Sequence, residues 1–182
     1  LAVPEIGHVL LERQPEDQGA ARRATAPGVQ CVGDPGPHAV VDPPSREDDV
    51  RLMPGGLRLS VIRVERDSTQ RLWSFGLDGT DPQVILSALK PVGYHAWLAP
   101  TKLATYVLGK PATLHVVDSD GAHDEVRARD IGRSLHRVPG KDAFSYTQRD
   151  STRAYVIMTQ PVNGETETAL VKASADNEYH TW

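Results

Sequence analysis

The sequence predicts an all-β chain: about three four-stranded antiparallel blades in series, behind an irregular amino-terminal region. Three observations carry that prediction. Strand-type runs lead into turns at one beat: Leu72-Trp73-Ser74-Phe75 into Leu77-Asp78-Gly79, Leu114-His115-Val116-Val117 into Asp118-Ser119-Asp120-Gly121, and Tyr155-Val156-Ile157-Met158 into Val162-Asn163-Gly164. The turn glycines Gly79, Gly121 and Gly164 are evenly spaced, within the period of about 40–45 residues that four-stranded blades leave in a sequence. A second set, Leu59-Ser60-Val61-Ile62, Leu103-Ala104-Thr105-Tyr106 and Phe144-Ser145-Tyr146-Thr147, keeps step with the first. Finally, Tyr94-His95-Ala96-Trp97 returns as Tyr179-His180-Thr181-Trp182, two lengths of the repeat further on.

Residues 1–48 obey other rules. They hold half of the prolines, the lone Cys31 and no Phe, Trp or Tyr, and runs such as Gly33-Asp34-Pro35-Gly36-Pro37 interrupt any period, since proline removes a ladder donor. His8-Val9-Leu10-Leu11 and Ala39-Val40-Val41 are too short for periodicity to decide between strand and helix. From Asp49 onward each blade reads in the same order. First strands fall at Asp49–Met53, Val92–Trp97 and Ser134–Val138, and the second strands are those in step above. Third strands end in the Asp-Gly or Asn-Gly turns, residues that accept positive φ cheaply. Fourth strands are Gln83–Leu86, Glu125–Ala128 and Ala169–Lys172. The blades are therefore expected at about 49–91, 92–133 and 134–178, with a stub at 179–182 that begins the first strand of another.

A net charge of -4 and a pI near 6.0 give no electrostatic footprint for nucleic acid. No run approaches the roughly 20 apolar residues of a membrane-spanning helix. A single cysteine excludes an internal disulfide and a cysteine zinc cage, and Cys31 reads as a surface or partly buried thiol without a base. Leu1-Ala2-Val3-Pro4-Glu5 is not a basic region leading into an apolar stretch, so no signal peptide is visible. The mixed-sign runs Arg46-Glu47-Asp48-Asp49 and Arg127-Ala128-Arg129-Asp130 suit solvated loops or protected edges.

On these residues the chain resembles the TolB-like branch of the β-propellers, related in form to WD-type repeats. Leu52-Met53-Pro54-Gly55-Gly56 and Arg137-Val138-Pro139-Gly140-Lys141 match the family's turn after the first strand, and Ala96-Trp97-Leu98-Ala99-Pro100-Thr101 matches it in degraded form. The resemblance covers roughly residues 49 to 182 and implies an incomplete β-propeller segment, a periplasmic or secreted location, and first strands lining a central channel. Such propellers resemble closed rings of six or more blades, which three cannot make. The expectation is then a piece of a longer protein or a half-ring that forms a homodimer through its open blade edges.

His95 and His180 occupy equivalent first-strand places, where histidine could hold a metal or act as a general base, as in propeller hydrolases of esters, lactones or phosphoesters. The plainer reading is that the Tyr-His-x-Trp pattern recurs because blade packing recurs. Asp118, Asp120 and Asp124 are the carboxylates of a loop that would take calcium or zinc, but an EF-hand needs its glutamate later and helices on both sides, so a hairpin turn is expected and no cofactor is predicted. His115, between Leu114 and Val116, faces opposite to them. No Gly-x-Ser-x-Gly elbow or phosphate-cradling loop occurs. Repeat architecture without a convergent reactive set points to a non-catalytic module binding a protein or peptide, with Tyr94, Trp97, Tyr179 and Trp182 as its aromatic anchors. The alternatives are the hydrolase and a fragment without independent function.

Overall fold

A computed structural model describes residues 46–173 and 177–182, and among them every regular element is a strand. Residues 1–45, with Cys31 and the short apolar runs near His8 and Ala39, lie outside the described residues. Three antiparallel sheets follow one another along the chain, each a simple meander of four neighbours, and none closes on itself. The first holds β1 (Arg46–Leu52), β2 (Arg58–Val64), β3 (Gln70–Gly76) and β4 (Gln83–Ile85). The second holds β5 (Val92–Ala99), β6 (Lys102–Val107), β7 (Thr113–Asp118) and β8 (Glu125–Arg129). The third holds β9 (Ile131–Arg137), β10 (Ala143–Arg149), β11 (Tyr155–Pro161) and β12 (Thr168–Lys172). This is an incomplete β-propeller segment of three blades, as the repeat predicts.

The register explains the beat. Ser60 pairs with Ser74, Ala104 with Val116 and Ser145 with Thr159, so the central hairpins correspond at the intervals read from the sequence. Gly79 and Gly121 take φ of 79° and 88°, which the Asp-Gly signal requires. Gly164 does not share that conformation, although its N–H closes the corresponding turn onto Pro161 O at 3.4 Å and the connection to β12 is as long as those to β4 and β8. Each first strand carries an irregularity in its ladder, between Asp48 and Arg51, between Val92 and Tyr94 and again between Trp97 and Ala99, and opposite Tyr146 and Gln148. These bulges re-aim side chains at the edge where β1, β5 and β9 come together. The stub at Tyr179–Trp182, expected as the start of a strand, joins no ladder; it is tied to the third blade by side chains and by Thr147 Oγ1 donating to Glu178 O at 2.8 Å.

The middle sheet buries both faces, so successive residues along it serve different cores. On β6, Leu103 joins Ile62, Leu72, Ile85 and Val117 between blades one and two. Its neighbour Ala104 joins Leu114, Val116, Leu135, Phe144 and Tyr146 between blades two and three. Packing at the third blade is close enough to demand glycine. A Cβ on Gly132 would collide with Thr147 Oγ1 and stand 3.0 Å from Glu178 Cβ and 3.1 Å from the Tyr155 ring. We expect Gly132→Ala to lower stability by about 1–3 kcal/mol through overpacking, read as a lower urea midpoint at unchanged slope. An unchanged midpoint would mean that this seam yields.

Candidate functional site

The two histidines singled out by the sequence sit in matching hydrogen-bond networks that join one blade to the next. Bulging of β1 leaves Asp49 at φ 51° with its carboxylate directed to the second blade. On β2, Ser60 faces the same way. Its Oγ accepts the indole N–H of Trp97 at 2.9 Å and lies 2.8 Å from Nε2 of His95. Because the indole can only donate, the hydroxyl proton is left for His95 Nε2, with Arg51 O a longer alternative at 3.3 Å. That places the imidazole proton on Nδ1, which stands 2.9 Å from Asp49 Oδ2. The approach is electrostatic rather than an aligned hydrogen bond, since the same oxygen already takes the His95 main-chain N–H at 2.8 Å. Ser60 and His95 are both 0% exposed.

Burial lowers the affinity of His95 for a second proton, and Asp49 only partly opposes it. For Asp49, burial pushes the carboxyl up, but the His95 bond and charge, with Arg51, win and bring it below its ordinary value. A neutral histidine beside an ionised aspartate is the consistent pair.

The second network repeats the first at two lengths of the repeat, with one change. Ser145 Oγ accepts the Trp182 indole N–H at 2.8 Å and lies 2.8 Å from His180 Nε2. Where Asp49 stood, Ser134 stands: its Oγ accepts the His180 main-chain N–H at 3.1 Å, and His180 Nδ1 has no partner among the described residues. Burial, then the charge that His136 would carry with its ring 4.9 Å away, hold His180 down to about 4.

Between blades two and three the same slots are apolar. The hydroxyl position is Ala104 and the imidazole position Leu135, which share one core cluster. Polar and apolar seams therefore alternate, and the chemical repeat is two blades long. This is why Tyr-His-x-Trp returns after two blades and not after one. On the first blade the corresponding slots hold Val50 and Leu52, which are 58% and 59% exposed.

The remaining candidates are separated. Asp118 Oδ2 meets His123 Nδ1 at 2.8 Å and its other oxygen meets Lys102 at 3.2 Å. Asp120 accepts the Ala122 N–H within the turn, and Asp124 meets His115 Nδ1 at 2.7 Å, the face opposite Leu114 having brought His115 there. Among the described residues no group of three or more histidine, aspartate or glutamate side chains converges to hold a metal. Tyr94 packs edge-on against Tyr106 at 5.7 Å and lies beside the half-exposed Tyr179 near Arg133.

Trp97 and Trp182, in contrast, come together. They line a cavity of about 530 Å³ at the far end of the first strands, with Arg51, His136, Arg137 and Pro139. The indole of Trp97 is anchored through its N–H, and Trp182, anchored likewise to Ser145, is 55% exposed as a residue. Asp49, Ser60, Ser134, Ser145, Arg51 and His136 are the residues that the sequence reading missed. One signal was there: Ser60 and Ser145 recur at the same interval as His95 and His180, in phase with them.

No protein family and no curated protein matches the chain. Among solved structures, the acylaminoacyl peptidase of Pyrococcus horikoshii (orthorhombic crystal form) is similar over 69% of this chain at 15% identity and a TM-score of 0.46. The match takes in 25% of that peptidase chain, so this chain spans about a quarter of its length.

The seams can be tested by substitution and by pH. Ser60→Ala strands a buried indole N–H and imidazole and should cost about 1–3 kcal/mol. Adding His95→Leu recreates the pairing of Ala104 with Leu135, so the double variant should be less destabilised than the singles sum to, by about 0.5–3 kcal/mol in a double-mutant cycle. Strict additivity would show that the hydroxyl and the imidazole do not act together. For His180, an unfolded histidine takes its proton near 6.5 and the folded one only near 4, so the unfolded chain binds the extra proton in between. The stability involved is whole above 6.5 and declines as pH falls toward 4. In an NMR titration the His180 ring should remain neutral at about pH 5.5, and His136→Gln should raise its midpoint. A midpoint near 6.5 would contradict the network.

Proposed function

We propose that the chain is a non-catalytic binding module of the TolB-like kind, which takes a protein or peptide ligand at the cavity between Trp97 and Trp182. The observation that carries this reading is the division of labour among the repeated residues. The imidazoles are held inside the seams, while the indoles beside them turn a face to the cavity. A ring fixed by its own N–H loses little freedom on binding, and large anchored aromatics beside arginine are the side chains from which binding hot spots are made. Arg51 and Arg137 at the rim already face Asp49 and Asp142, so they offer a ligand planar hydrogen-bond donors rather than a surplus of charge.

The atom order Asp49, His95, Ser60 matches that of an acid, base and nucleophile, which gives the hydrolase reading its one point of support. Against it, Ser60 Oγ is sealed from solvent and already accepts the Trp97 N–H. A nucleophile needs a path for its substrate and a site about 3 Å away for the reacting atom.

Peptides selected from a random library on the intact chain should bind Trp182→Ala at least roughly tenfold more weakly, the loss of one aromatic hot spot. Peptides that bind the variant equally well would remove the cavity from the proposal. Turnover of an ester, lactone or phosphoester that disappears in His95→Ala would replace binding with catalysis.

A further inference from the structure

We propose a second ligand site at the opposite end of the first strands, built to take a small phosphate monoester. It does not depend on the reading of the tryptophan cavity. The two cavities use different ends of β9: Arg137 borders the first, whereas Ile131 and Arg133 border the second. The second measures about 710 Å³, within the range of small-molecule pockets, and lies across blades two and three.

Its charge is the reason to assign it a ligand. Lys110, Arg133, Arg149 and Arg153 line it, against only two carboxylates, Asp130 and Glu178. Arg153 is paired with Asp130 at 2.6 Å and Arg133 with Glu178 at 3.2 Å. Lys110 and Arg149 are left, and among the described residues neither is joined to a carboxylate. The uncompensated charge is thus two, carried by one planar guanidinium and one ammonium. A phosphate monoester, with a charge of about −1.5 to −2 near neutral pH and three acceptor oxygens, balances it; a single carboxylate does not.

Arg149 is also held in place. It donates from Nη1 to Arg153 O at 2.6 Å across the β10–β11 hairpin, and its guanidinium lies 4.1 Å from the centroid of the Tyr155 ring. A fork fixed in this way gives up little freedom when it binds oxygen pairs. Tyr106 borders the remaining space and gives an organic body an aromatic wall. In this fold such a place arises where hairpins end. Lys110 is on the turn after β6, Arg149 closes β10 and Arg153 follows on its turn, and the rigid sheets set the distance between them.

The test is calorimetric titration of the intact chain with inorganic phosphate, phenyl phosphate and benzoate, the last a monoanion of similar shape. Phenyl phosphate should bind more tightly than phosphate and much more tightly than benzoate. Lys110→Gln and Arg149→Gln should each weaken it at least roughly tenfold, the loss of one charge-assisted bond. Lys110 is on an exposed loop, so its variant decides the matter if Arg149→Gln fails to fold. Absence of heat with both phosphates, equal binding of benzoate, or affinity unchanged in Lys110→Gln would each overturn the site.

Discussion

A serine hydroxyl shared between an indole and an imidazole of the following blade is the interaction on which the rest of this structure leans. A β-blade offers two faces, and both must be covered if the sheet is to be stable in water. Hydrophobic burial covers them but does not choose a register, because apolar side chains are tolerant of small shifts. A buried hydroxyl is not tolerant. Ser60 must find Trp97 and His95, and Ser145 must find Trp182 and His180, or each donor left over carries its full desolvation penalty. The polar seams thus fix how blades meet, and the apolar seam of Ala104 and Leu135 between them supplies burial.

How much of this was legible follows from the range of each interaction. Strand order and hairpin register are local, so the phase of Leu59, Leu103 and Phe144 placed all three central hairpins, and Gly79 and Gly121 marked the turns that lead into the fourth strands. At Gly164 the signal located the turn but not its conformation, since that glycine closes onto Pro161 without the positive φ of the other two. The seams are not local: Ser60 and His95 meet across a whole hairpin and the fourth strand of the first blade, and nothing in either strand announces the other. Recurrence alone hinted at them. Tyr-His-x-Trp recurring at two repeat lengths suggested packing, and the network supplies the physical reason, since two networks of this kind are separated by one seam of a different kind. The tyrosines of that pattern went elsewhere. Tyr94 and Tyr179 lie by Arg133, away from the tryptophan cavity, because positions an odd number apart along an extended segment fall on opposite faces.

The same reasoning separates stability from function within a single short motif. In the segment from Tyr94 to Trp97 the imidazole is wholly enclosed, and the indole is enclosed at its nitrogen and open at its face. The protein has therefore made its most polar ring structural and its most apolar ring available. That arrangement suits recognition and is poor for chemistry. A base that is to move a proton needs a titration point near working pH and a partner that can leave, whereas burial depresses both His95 and His180 and their partners are fixed in the seam.

Blade ends differ from blade seams in one further respect, which makes them the natural places for ligands. Along a seam every charge has to be matched by a neighbour, since the surroundings are apolar; Asp49 meets both His95 and Arg51 for this reason. At the ends water screens imbalance, and a surplus of like charge can persist. It persists unevenly. Asp130 and Glu178 are each held by an arginine, but the hairpin ends of blades two and three set Lys110 and Arg149 around one cavity without an acid to answer them. Self-repulsion of this kind lowers the stability of the free chain, so a cluster held by a rigid hairpin and an aromatic ring is most simply understood as prepared for an anion that comes from outside the chain.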